Sequence, residues 1–198
     1  LLLPDLIKNF CNEYPDVEIG LQEGNMEQVA NYLKEGAADL GLTYDLHPDS
    51  DIDHELITNL SPFVVVSSKN PLAKRNKISI KELKNEPLIL MDSPGYSEYL
   101  FNYFSMYDLR PLIQHRSTTN EMVRGMVAMG NGYSISLVKI KNVYSYDGSS
   151  LVTVELEETP PSVNLVIASL KGFRRSKLAD AFVQTCKTKL KKVATGTS

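Results

Sequence analysis

Apolar residues first recur at helical spacing. Leu2, Leu3, Leu6, Ile7, Phe10 and Cys11 share one face, so the pattern predicts an amphipathic helix over 1–13. Pro4 suits its first turn, and Tyr14-Pro15-Asp16 ends it. The period then drops to two. Val17, Ile19 and Leu21 alternate with Glu18, Gly20 and Gln22, the pattern of a half-exposed strand. Asn25 is a good cap for a helix carrying Val29, Ala30, Tyr32 and Leu33, with Gly36 at its end. Leu40-Gly41-Leu42-Thr43-Tyr44 reads as a short buried strand. Strand, helix and strand with such short connections predict a parallel, right-handed unit.

The pattern continues in the same manner. Residues 45–55 are acidic and polar and predict a loop, followed by strands at 55–60 and 63–67. Asn70-Pro71-Leu72-Ala73 is a turn, and a short helix is expected near Ile80–Leu83 within the basic, polar stretch 74–85. Glu86-Pro87-Leu88-Ile89-Leu90-Met91 predicts a buried strand that breaks at Asp92-Ser93-Pro94-Gly95 and opens a helix over 95–106. A strand at 112–116, a helix at 120–129 ended by Gly130-Asn131-Gly132, and a strand at 133–138 follow. After a loop at 144–150, strands at 151–156 and 163–169 flank Thr159-Pro160-Pro161-Ser162, and a last helix covers 175–191. The tail 195–198 is expected to be disordered.

Alternating strands and helices place the chain in the α/β class. The polar stretch 74–85 and the Pro160-Pro161 connector are two candidate crossings between lobes. They predict lobe I over 1–86 and 163–198 and lobe II over 87–162, with a ligand between the lobes where helix starts converge.

A strand that feeds a helix through a small-residue turn leaves backbone N–H groups free, and small anionic or polar ligands settle there. The Asp92–Ser97 turn has that form. The formal net charge of −3 gives the chain no electrostatic case for coating DNA or an anionic membrane. No apolar run is long enough to cross a bilayer. The two cysteines, Cys11 and Cys186, both fall on helical apolar stripes and read as buried reduced thiols, which suits a cytoplasmic setting.

Catalytic signatures are missing. There are three histidines, and no Gly-x-Ser-x-Gly, P-loop or Cys-x-x-Cys motif. Asp49, Asp51 and Asp53 alternate as in a calcium loop, but His54 stands at the sixth position and Leu60 at the twelfth, so the stretch reads as a solvated loop. No enzyme activity, cofactor or metal is expected.

Leu3-Pro4-Asp5-Leu6, Phe10 and Tyr14-Pro15-Asp16-Val17 resemble the opening of the effector-binding domain of LysR-type transcriptional regulators. Glu23-Gly24, Asp39-Leu40-Gly41-Leu42, Asn70-Pro71-Leu72-Ala73, Glu86-Pro87-Leu88-Ile89 and Val127–Ser134 continue the match in order and spacing. The resemblance implies two Rossmann-like lobes of the periplasmic-binding-protein type II kind, joined by two crossing strands. It implies a small-molecule effector, for which the helix starts favour an organic acid. It also implies a homodimer or tetramer in which helix 1–13 pairs antiparallel with helix 120–129 of a second copy. Promoter DNA would be bound through a winged helix-turn-helix domain that this chain lacks, as it lacks a strand ahead of the first helix. A secreted solute-binding protein of a transporter is the rival reading.

Carried over by position, the implied ligand contacts are Asn25, Met26, Thr43 and Tyr44 in the first lobe. The second lobe adds Ser93, Gly95, Tyr96, Ser97, Thr118, Thr119, Ser134 and Ser136. Asn25, Ser93 and Thr119 serve equally well as helix caps, and a cap sits beside the free N–H groups that a ligand uses. Tyr99 and Tyr133 read as half-buried tyrosines. Arg116 and Arg124 read as solvated or interface residues, though either would suit a carboxylate. Where the family has a proline after this strand, the chain has Leu137-Val138-Lys139.

Overall fold

The computed structural model describes residues 3–46, 49–138 and 143–194. The tail 195–198, Lys139 and His47-Pro48 of the acidic loop lie outside these. The chain forms two compact units, residues 1–59 with 163–198 and residues 60–162. The first boundary falls at Asn59/Leu60 instead of at 86/87. The reason is strand pairing: the strands at 63–67 and 77–78 hydrogen-bond to partners in the second unit.

In the first unit, helix α1 (Leu3–Glu13) buries Leu6 and Phe10, and Phe10 meets Phe182 edge to face at 5.2 Å. Helix α2 (Met26–Lys34) starts at a capping box. Asn25 accepts from the Gln28 N–H at 2.9 Å, and its own N–H donates to the Gln28 side chain at 2.9 Å. Strand β1 (Gly41–Tyr44) pairs antiparallel with β9 (Val163–Leu170), which neighbours β2 (Ile52–Leu60). Two expectations fail here. Val17–Leu21 is assigned to no strand, so the parallel strand–helix–strand unit does not form. Strand β2 begins at Ile52, three residues before the acidic stretch was expected to end. Asp49 is held by Lys34 at 2.6 Å rather than left to solvent. Ala30, Leu33, Ile52 and Ala168 form the core between α2 and the sheet.

Helix α5 (Lys177–Ala194) is tied to β2 by Glu55, which pairs with both Arg175 and Lys187. Hydrogen bonds from Lys187, then Arg175, hold the Glu55 carboxyl below the usual carboxylate range. A lowered folded value means the contribution is present above the unfolded value and lost as pH falls through the folded one. Glu55→Gln is therefore expected to lower stability by about 1 kcal/mol at pH 7, a modest figure because the pair is partly solvated. The gap to the native chain should close below about pH 4 when urea midpoints are followed against pH.

In the second unit, β3 (Phe63–Ser67) pairs antiparallel with β7 (Ser134–Ser136) and β8 (Leu151–Leu156), and β8 pairs parallel with the short β4 (Lys77–Ile78). Strand β5 (Pro87–Met91) pairs parallel with β6 (Leu112–Ser117) on one side. On the other it meets the strand of β7 through a parallel bridge from Leu88 to Tyr133. Helices α3 (Tyr96–Ser105) and α4 (Asn120–Ala128) follow β5 and β6. Val65, Ile89, Val123, Val127, Ala128 and Leu151 form the core beneath α4.

One further expectation is settled by burial. Arg124 is 7% exposed, donates to the Tyr144 carbonyl at 2.8 Å and pairs with Glu121, so it is structural and not solvated. The methionines of α4 divide: Met126 packs on the core, whereas Met122 and Met129 are exposed. Both thiols are free. Burial pushes the Cys186 thiol up to about 11, while Cys11 is only partly covered. A thiol titration of the native protein should modify Cys11 first and reach Cys186 only on unfolding.

Candidate functional site

The carboxyl ends of parallel strands in the second unit bring five of that unit's eight expected contacts to one edge: Ser93, Gly95, Ser97, Thr118 and Thr119. The backbone N–H of Asp92, just past β5, donates to the Ser117 carbonyl at the end of β6 at 2.8 Å. Ser93 and Ser97 are therefore neighbours of Ser117, Thr118 and Thr119, and α3 and α4 both start at this edge. Gly95 stands at the α3 start with φ of 76°, a conformation that only glycine adopts without cost. Thr119 precedes α4 but its side chain makes no cap bond, so its hydroxyl is not committed to the helix. Thr118 and Thr119 are exposed, and Ser93 and Ser97 are half-buried.

Side chains the sequence reading did not weigh together complete this edge. Asp92 accepts from the Ser97 hydroxyl at 3.1 Å and from the Arg116 guanidinium at 3.3 Å. Arg116 also lies over the Phe101 ring at 6.0 Å. The edge thus offers hydroxyls, one carboxylate and one guanidinium held in place.

The remaining expected residues sit differently. The Tyr96 ring is buried, and its hydroxyl donates to the Ile135 carbonyl at 2.7 Å, so it braces α3 against β7. Ser134 is buried on β7, paired across from Val65. Ser136 turns its hydroxyl to the Val138 carbonyl at 3.0 Å. Tyr99 donates to the Pro161 carbonyl at 2.6 Å. Tyr133 is fully buried, not half-buried, and its hydroxyl has no partner among the described residues.

In the first unit, Met26, Thr43 and Tyr44 line one hollow, with Asp49, Ile52 and His54 added from the loop and β2. Burial raises the Tyr44 hydroxyl above its ordinary range, so it is a neutral donor at pH 7. The hollow measures about 10 Å³, the space of a single water. Asn25 stands beside it at the α2 start, its side-chain oxygen taken by the cap.

A sequence model of the LysR substrate binding domain matches residues 1–191. The chain belongs to the LysR substrate-binding domain family. The HTH-type transcriptional activator CmpR of Synechocystis is 31% identical over 185 residues, covering 91% of this chain and 60% of that protein. The structure of HinK, a LysR family transcriptional regulator from Pseudomonas aeruginosa, superimposes with a TM-score of 0.90 at 33% identity, covering 96% of this chain and 66% of that one. The effector-binding domain of QuiR, solved with shikimate, shares the fold at a TM-score of 0.81 and 23% identity. The chain spans about three fifths of the length of the curated relatives it matches.

Within this LysR domain, the fold is mixed α/β of the type II periplasmic-binding-protein kind. Among the described residues no group of three His, Cys, Asp or Glu could hold a metal ion, and no helix is long and apolar enough to cross a membrane. Asp92 was legible as the first residue of a turn, but its pairing with Arg116 was not. The two are 24 positions apart, and only the parallel pairing of β5 and β6 makes them neighbours.

Proposed function

We propose that this chain is the effector-binding part of a LysR-type transcriptional regulator in the cytoplasm, acting by ligand binding and not by turnover. The carrying observation is the shared edge of β5 and β6, where two helix starts, four hydroxyl residues and the Asp92–Arg116 pair converge. The effector class is an organic acid. Its carboxylate is met by Arg116 and by the α3 and α4 starts, and its hydroxyl groups by Ser93, Ser97, Thr118 and Thr119. Gly95, Tyr96 and Ser134 are the further contacts of this unit. In the first unit the contacts are Asn25, Met26, Thr43 and Tyr44. In the full-length regulator, helices 1–13 and 120–129 of two copies pair, and effector binding is passed on to a domain that holds promoter DNA. The match to transcriptional regulators supports this reading over a secreted solute-binding protein.

A thermal-shift screen of hydroxylated and aromatic carboxylic acids tests it. A true effector raises stability in step with occupancy, by about 2.7 kcal/mol at a hundred times its Kd. If amines or neutral sugars shift the protein and no carboxylate does, the organic-acid class is wrong.

A further inference from the structure

The protein itself uses only half of the Asp92–Arg116 pair. Both side-chain contacts that Asp92 receives end on Oδ1, from the Ser97 hydroxyl at 3.1 Å and from Arg116 Nη1 at 3.3 Å. Among the described residues Oδ2 has no hydrogen-bond partner. A guanidinium carries five N–H donors, and Asp92 is the one hydrogen-bond acceptor that Arg116 has among those residues. The Phe101 ring backs the guanidinium at 6.0 Å. Both charged side chains are open to solvent. An ion pair this exposed holds the fold only weakly, so its unused oxygen and N–H groups are available to a ligand.

A ligand carboxylate that reaches Arg116 meets Asp92 beside it, and two carboxylates repel. A ligand that also brings a cationic donor turns that neighbour into a partner. We propose that the Asp92–Arg116 pair receives the head group of an α-amino acid, with Arg116 taking the carboxylate and Asp92 Oδ2 taking the ammonium. This rests on the effector-binding reading of the β5–β6 edge and narrows its organic acid to a zwitterion. Both new hydrogen bonds are charge-assisted, and the zwitterion leaves the net charge of the edge unchanged. The spacing selects the α isomer. The guanidinium donors and the carboxylate acceptor stand side by side, 3.3 Å apart at their contact, so the ligand's ammonium and carboxylate must sit on one carbon. An acid whose amino group lies several carbons away does not reach both. A hydroxy acid donates to Oδ2 but leaves the repulsion between carboxylates uncompensated, so it binds more weakly than the amino acid.

The test titrates the chain with the common L-α-amino acids, each beside the same acid lacking its amino group, and reads Kd from the shift in Tm. At least one amino acid is expected to bind, at least tenfold more tightly than its des-amino counterpart. Asp92→Asn should then move the two in opposite directions, weakening the amino acid and tightening the des-amino acid, whereas Arg116→Gln should weaken both. A variant that only disturbs the fold lowers the Tm without ligand and cannot produce opposite shifts. If des-amino acids bind as well as or better than the amino acids, or if Asp92→Asn weakens both alike, the zwitterion is wrong while the organic-acid reading stands. If no carboxylate binds, with or without an amino group, both fall.

Discussion

Replacing Gly132 with alanine is expected to lower stability by about 3 kcal/mol or more. Gly132 has φ of 145°, and a Cβ built there lies 2.1 Å from the Pro87 carbonyl oxygen. That oxygen cannot retreat cheaply, because it accepts from the Tyr133 N–H at 2.9 Å, while Ile89 donates to the Tyr133 carbonyl at 2.8 Å. These two bonds join β5 to the strand of β7 and so connect the β5–β6 pair to the rest of the sheet. The substitution therefore acts on the edge that carries Ser93 and Thr119 as well as on the core. Gly130→Ala is the control. Gly130 also has positive φ, at 88°, but nothing lies within 4 Å of an added Cβ. Its cost is backbone strain alone, about 1 kcal/mol. Urea midpoints for the two variants separate contact from strain, and equal losses would show that the close approach is not what matters.

Ser93→Ala with Ser97→Ala is expected to weaken effector binding roughly thirtyfold, the loss of two hydroxyl contacts at about 1 kcal/mol each. Ser97 also donates to Asp92, so its removal leaves Arg116 as that carboxylate's side-chain partner among the described residues. The readout is the shift in melting temperature given by any acid that stabilises the native chain. At fixed ligand the shift should fall, and it should return at higher ligand concentration, which a folding defect would not allow. The melting temperature without ligand serves as the reference, because both residues are only half-buried. A shift that survives the double substitution intact removes the β5–β6 edge from the site.

Much of this was legible because the patterns are local. The helix at Met26–Lys34 follows from Asn25 as a cap before Val29, Ala30, Tyr32 and Leu33, and the turn at Asp92–Gly95 follows from small residues at the end of an apolar run. Both expectations rest on neighbours within one turn of chain, which the sequence displays directly. The strand at Val17–Leu21 has an equally good pattern and does not form, because a strand needs a partner and its own sequence cannot supply one. The placement of 60–86 was misjudged for a related reason. Composition marks a polar connector at 74–85, whereas the unit boundary depends on which distant strands Phe63–Ser67 joins.

By itself, then, the sequence determined the order of the helices, the α/β class, the family and the helix starts at which a ligand is expected. Each depends on short-range periodicity, capping chemistry or motif spacing. The tertiary structure decided which of those residues still have a free group. It turned the Tyr96 hydroxyl into the sheet, buried Arg124 beneath the Tyr144 loop, and set Arg116 against Asp92 beside Ser97. Those outcomes depend on strand register, which brings residues tens of positions apart within hydrogen-bonding distance and leaves no trace in local pattern.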